Sequence, residues 1–233
     1  MNANEFKLDY FQFYDIEIPQ DVRELSPPVR LQGQFDKEVP EWAKPHYLKK
    51  FANPVSKNGE AIVDKNAHLT WYNLTSSDPK VARHVKIANQ FCKRGQELMI
   101  YDVVAMLVPA QKRKLRGTFT PPAKLDHYKM YRVINEQRVD EPNIKLADQF
   151  HKREAAVYRP VAFAVPVTKE VHGKVFSIHN HEAHLTVYHV QPSKDIPDVI
   201  DARDQFGTHR YLKMGVSYLL AVPSKKVEWR EEG

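Results

Sequence analysis

Apolar and polar side chains alternate along parts of the chain, as in Leu125 to Val133 and Asn143 to Leu146, and the strand-like stretches are rich in aromatic and β-branched residues. A period of two puts successive side chains on opposite faces of a pleated strand, so the pattern predicts half-buried β-strands. In the best-defined region the strands are expected at Leu125 to Val133, Asn143 to Phe150, Ala155 to Arg159 and Val161 to Val167. No segment keeps a helical period over twelve residues.

The strand pattern is itself repeated. Gln-Phe pairs occur at Gln34-Phe35, Gln90-Phe91, Gln149-Phe150 and Gln205-Phe206, spaced 56, 59 and 56 residues apart. Each is followed 16 to 19 residues later by a proline, in Asn53-Pro54, Val108-Pro109, Val165-Pro166 and Val222-Pro223. A fixed spacing of this kind marks a repeat architecture. A longer period of about 116 residues lies on top: Leu8-Asp9 with Phe13-Tyr14 recurs as Leu125-Asp126 with Met130-Tyr131, and Ala67-His68-Leu69-Thr70 with Tyr72 recurs as Ala183-His184-Leu185-Thr186 with Tyr188. A unit of about 57 residues has been doubled, and the pair doubled again.

These periods predict an all-β protein with two tandem, pseudo-symmetric, antiparallel barrel- or sandwich-like halves, 1–112 and 124–233, joined by a linker at 113–123 that contains Gly117, Pro121 and Pro122. A ring of four units, one per blade, is the alternative. The closing proline cannot donate to a ladder and is expected at a strand end or edge.

The order Asp126-His127-Tyr128-Lys129, Asp148-Gln149-Phe150, Val165-Pro166-Val167 resembles a bacterial repeat family of uncharacterised role, often found in secreted proteins. The even repeats resemble it through Ala183-His184-Leu185-Thr186, Asp204-Gln205-Phe206-Gly207 and Val222-Pro223-Ser224, so the likeness covers nearly the whole chain. Members commonly carry cysteines in the first strand and just before the Val-Pro. The matching positions here are Phe13 and Ala52, Trp71 and Leu107, Met130 and Ala164, and Val187 and Ala221, all apolar. The resemblance therefore implies a scaffold with no assigned activity, in which each of these pairs touches in the core where a crosslink would otherwise stand.

Composition adds bounds. The 233 residues are 42% apolar and 27% charged, as in an ordinary globular protein, and no apolar run is long enough for a membrane-spanning helix. Met1 to Leu8 lacks the features of a secretory signal, and Cys92 is the only cysteine, so no internal disulfide can form. Together these give the expectation of a cytoplasmic protein. The net charge of +6 is spread along the chain. Its one dense basic run, Lys112, Arg113, Lys114 and Arg116, falls at the junction and reads as a solvated linker, with nucleic acid as a weaker possibility.

Candidate chemistry is sparse. His179, His181 and His184 form the densest cluster of potential ligands; two imidazoles two residues apart on a strand share a face and could hold Zn²⁺ or Cu²⁺. The matching residues in the first half are Val63 and Lys65, so the fold does not require His179 and His181, whereas His184 matches His68 and both read as structural. The residue before each Gln-Phe (Gly33, Asn89, Asp148 or Asp204) suits a turn better than a catalytic carboxylate. Cys92 reads as incidental and partly exposed. No nucleophile motif or phosphate-cradling loop is present, which leans the reading away from an enzyme. Residues that break the repeat, above all Trp42, His46 and Tyr47, are the candidate binding surface, with Trp42 as a core residue the competing reading. The expectation is a non-catalytic scaffold that binds a protein partner or assembles with itself through edge strands, with no cofactor; a metal protein built on the histidines is the alternative, and a nucleic-acid binder the third.

Overall fold

A computed structural model describes residues 6–18, 26–36, 40–114, 117–136, 139 and 143–232. Each repeat supplies two short strands and one long one. They are β1 (Tyr10–Glu17), β2 (Val29–Gly33) and β3 (Glu41–Lys57); β4 (His68–Ser76), β5 (Arg83–Asn89) and β6 (Cys92–Lys114); β7 (His127–Val133), β8 (Asn143–Ala147) and β9 (Lys152–Val171); and β11 (His184–Val190), β12 (Val199–Asp204) and β13 (Gly207–Glu231). A short β10 (Lys174–Phe176) turns back onto β9. The chain is all-β and every pairing among the described residues is antiparallel. Among the described residues no helix is long and apolar enough to cross a membrane.

The first strand of every repeat lies between two long ones. β1 lies between β13 and β3, β4 between β3 and β6, β7 between β6 and β9, and β11 between β9 and β13. These eight strands close into one ring. The second strand of each repeat forms an arm with the start of its own long strand, β2 with β3, β5 with β6, β8 with β9 and β12 with β13. The other side of each arm pairs with the far end of the long strand two repeats away: β2 with β9, β8 with β3, β5 with β13 and β12 with β6. Repeats one and three thus clasp each other, and so do two and four.

The two halves share one ring, and the arms of each half pair with long strands of the other. The expected linker starts inside β6, which runs to Lys114 and pairs there with β12; Leu115 and Arg116 lie outside the described residues. The strands expected at Ala155 to Arg159 and Val161 to Val167 are one continuous β9, whose register slips beside Pro160, where the sequence pattern breaks.

Alternation gives the ring an inner and an outer row. The inner row is apolar: Phe11 and Phe13, Leu69 and Trp71, Tyr128 and Met130, and Leu185 and Val187 meet alanines and leucines of the long strands, and Phe13 and Trp71 pack edge-to-face with centroids 5.3 Å apart. All four pairs expected to touch are directly opposed across strands, Phe13 with Ala52, Trp71 with Leu107, Met130 with Ala164 and Val187 with Ala221, within this same core. In each pair a smaller side chain faces a bulkier one across the ring core. The four prolines sit inside long strands, not at strand ends. Each falls where its strand is paired on one side only, Pro54 with Phe11, Pro109 with Leu69, Pro166 with Tyr128 and Pro223 with Leu185, so the missing N–H removes no ladder bond.

Directly opposed residues on antiparallel strands lie about 4.5–5.5 Å apart, within disulfide range. The double variant Met130→Cys, Ala164→Cys is therefore expected to lose both introduced thiols on mild oxidation; thiol titration and intact mass check this, and two persistent thiols would contradict the register.

Candidate functional site

The outer row of the ring is buried under the arms, and its side chains are polar: Gln12, Thr70, Lys129 and Thr186 at one level, and Tyr14, Tyr72, Tyr131 and Tyr188 at the next. Each tyrosine meets the Gln-Phe turn of the repeat opposite. Phe150 packs edge-to-face on Tyr14, Phe206 on Tyr72, Phe35 on Tyr131 and Phe91 on Tyr188, with centroids 4.9 to 5.5 Å apart. The residue before Gln-Phe completes the contact. The side chains of Asn89, Asp148 and Asp204 accept the backbone N–H of Phe91, Phe150 and Phe206, closing a turn, and bond Tyr188, Tyr14 and Tyr72 respectively. Four motifs in equivalent surroundings make the Gln-Phe pair an architectural clasp.

Charge distinguishes the four clasps. Around Tyr188 the group is neutral: Asn89 also bonds Ser224, which pairs with Thr186. Around Tyr72, Asp204 accepts from Thr70 (2.7 Å) and Tyr72 (2.6 Å), and His209 lies 2.9 Å from the phenol oxygen. Burial alone would raise the Asp204 pKa, but bonds from His209, Tyr72 and Thr70 hold it below the ordinary value. Around Tyr14, Asp148 accepts from the hydroxyl at 2.7 Å and His151 lies 3.2 Å from it. Burial, then the adjacent carboxylates, push the Tyr14 and Tyr72 hydroxyls upward, and burial pushes His151 down. Those directions oppose a phenolate at Tyr14 or Tyr72 and a charged imidazole at His151, and each tyrosine hydroxyl holds the turn that meets it.

The fourth clasp carries full charges. Gly33 replaces the turn aspartate because a Cβ there would meet Val167 at 3.0 Å, and Asp36 supplies the carboxylate instead. Lys129, wholly buried, bonds Asp36, Glu41 (2.9 Å) and Asp78 (3.1 Å), while Asp78 also accepts from Tyr131 and Arg83. Asp36, Glu41 and Asp78 are the one set of three potential metal ligands brought together among the described residues, and the Lys129 ammonium occupies the position between them. Burial pushes Glu41 up to about 7, against the pull of Lys129. Burial would lower the Lys129 pKa, but its three carboxylates raise it above the ordinary value.

A second recurring element escaped the sequence reading. The third residue after each closing proline is lysine: Lys57, Lys112, Lys169 and Lys226. Each lies over the phenylalanine of the following Gln-Phe motif, Lys57 5.5 Å from Phe91, Lys112 5.3 Å from Phe150, Lys169 4.3 Å from Phe206 and Lys226 5.7 Å from Phe35. A constant offset from the proline anchors was the signal that could have found them. Burial pushes Lys112 and Lys169 down to about 7.

The predicted metal ligands do not converge. His179 is exposed and bonds Asp126 through Nδ1 (3.0 Å), His181 is exposed, and His184 is buried. His184 stacks on Phe163, with Nδ1 3.1 Å from the Glu182 carbonyl and Nε2 2.6 Å from Gln34. Burial pushes it down to about 4. His68, its counterpart in the first half, is likewise buried, against Phe51. Cys92 is buried, contrary to expectation, because its thiol points at Asn89 inside the neutral clasp. Of the basic run, Lys112 is turned to Asn53 and Arg113 to Asp201, so neither is a free cation. Trp42 does not fill the core: it is 54% exposed, its face covered by Arg30 at 4.9 Å. Tyr47 is 45% exposed, and His46 bonds Thr75.

Residues 68–228 match a family described as a repeat of unknown function (DUF7450). No curated protein and no solved structure matches the chain.

The folded pKa of Lys169 lies below its ordinary value of 10.5, so between about 7 and 10.5 the folded state binds fewer protons than the unfolded one and stability rises with pH. Lys169→Met removes the buried charge, so it is expected to raise the melting temperature at pH 6, with the gain shrinking toward pH 10. Circular dichroism at the two pH values checks this; a lower melting temperature at pH 6 would contradict it.

Proposed function

The chain belongs to the DUF7450 repeat family, whose function is unknown, and on that premise we propose that it is a non-catalytic scaffold that binds a protein partner through the exposed face of β2 and β3. The recurring residues support this reading because the architecture absorbs them: the tyrosines, Asx residues, phenylalanines and lysines all hold arms to ring. What one repeat has alone is then free for a separate task.

Trp42 carries the proposal. A large aromatic ring more than half exposed, stacked on Arg30 opposite it in the strand pair and beside exposed Lys44, is a rigid anchor with a cationic rim. It fits a partner that offers an apolar side chain to Trp42 and a carboxylate to Arg30 or Lys44. Self-assembly by edge pairing has less support, since every described strand except β10 already has a partner on each side. The metal reading also loses support, because among the described residues the one set of potential ligands that lies together is Asp36, Glu41 and Asp78, without His179, His181 or His184.

A photo-crosslinking side chain at Trp42 in the full chain tests the proposal against the same group at exposed Tyr211. The expected result is a discrete adduct from position 42 alone, lost when Arg30→Glu is added. Identical adducts from both positions, or none from either, would contradict it.

A further inference from the structure

The clasps around Tyr131 and Tyr14 are related by the longer repeat, and their charges are reversed. Around Tyr131, the Lys129 ammonium is held by Asp36, Glu41 and Asp78. In the Tyr14 clasp the neutral Gln12 stands in the place of Lys129, two residues before the tyrosine in both cases. The residue after Gln-Phe changes from Asp36 to His151. The arm residue changes from Glu41, opposite Leu31, to Arg153, opposite Leu146. In the loops that follow β4 and β11, ten residues beyond His68 and His184, Asp78 gives way to Lys194. Three acidic positions thus become basic ones, and the cation becomes an amide.

Among the described residues no carboxylate pairs directly with the new cations. Arg153 is half-buried, and its guanidinium donates to backbone carbonyls, through Nη1 to Gln191 and through Nη2 to Ser217 at 3.5 Å. Burial lowers its pKa. Asp148 acts on it through space, but the Asp148 oxygens accept from Tyr14, Asn53 and the backbone N–H groups of Phe150 and His151. Lys152 and Lys194 are exposed, while the acids beside them look elsewhere: Glu154 lies 3.8 Å from Lys145, and Asp195 acts on Lys213. A cavity of about 440 Å³ opens here, lined by Lys152, Arg153 and Lys194 together with Phe150, Pro192 and Ile196. His151 also borders it, but its ring nitrogens face Tyr14 and Gln12 and burial lowers its pKa, so it is not counted among the cations.

We propose that this cavity binds a small organic phosphate monoester, which supplies the negative charge that the reversed clasp lacks. Each Nη of Arg153 carries a second N–H beyond the one given to a backbone carbonyl, and the planar guanidinium matches the spacing of phosphate oxygens. Lys152 from the arm and Lys194 from the loop add two ammonium groups, so a dianion meets three cations. Phe150, Pro192 and Ile196 receive the organic part of the ester. A half-buried guanidinium without a directly paired counter-charge is unfavourable, the phosphate corrects that, and the cavity lies in the usual size range for small-molecule sites.

Calorimetric titration of the full chain at low ionic strength with phenyl phosphate, and with benzyl alcohol as the uncharged counterpart, tests this. One saturable site is expected for phenyl phosphate and none for benzyl alcohol, with affinity falling as salt is added. Lys152→Gln and Lys194→Gln, at exposed positions, each weaken binding about two- to fivefold, and Arg153→Gln weakens it at least about tenfold. Lys65→Gln, at an exposed lysine outside the cavity, leaves the affinity unchanged and so separates a built site from general attraction to a basic protein. The two lysine variants decide the matter even if Arg153→Gln does not fold. Absence of phenyl phosphate binding, equal binding of benzyl alcohol, or the same affinity in Lys194→Gln as in Lys65→Gln would overturn the proposal.

Discussion

A ring of strands that alternate side chains inward and outward has two faces to cover, and here the outer face is covered by an arm from the repeat opposite. Each long strand begins in its own arm, passes through the ring, and ends paired with the arm two repeats away. The ring cannot open without releasing arms, and an arm cannot be released without stripping a long strand of its last partner. Closure and clasping thus leave β10 as the one described strand with a free edge that could invite association.

That geometry forces the outer row to be both buried and polar, because it must bond to turns arriving from another part of the chain. Buried polar groups are tolerated only when paired. Four equivalent tyrosines solve the problem with a neutral asparagine, two aspartate–histidine groups and a lysine caged by three carboxylates. The shared parts are the tyrosine and the phenylalanine that packs on it; the rest is free to vary as long as charge and hydrogen bonds balance. Duplication has kept the mechanical joint and relaxed its electrostatics.

Much of this was legible in the sequence because it is periodic. The alternation of Leu125 to Val133 gave a strand, the Gln-Phe spacing gave the repeat, and the aligned apolar pairs such as Phe13 with Ala52 gave contacts that the strand register reproduces. What stayed hidden is whatever depends on which repeat meets which. Nothing in the chain around Asp148 names Tyr14 as its partner 134 residues away, and nothing around Arg113 names Asp201 as the residue it pairs with across the halves. The caged Lys129 was equally hidden, since Asp36, Glu41 and Asp78 are gathered from three segments. The histidine run misled for the opposite reason: closeness along the chain did not bring His179, His181 and His184 to a common point.

The central claim is that the halves are interlocked through one ring and so unfold together. Scanning calorimetry of the full chain tests it most directly. One transition whose calorimetric and van't Hoff enthalpies agree is the predicted result; two separable transitions, each belonging to half of the chain, would contradict it.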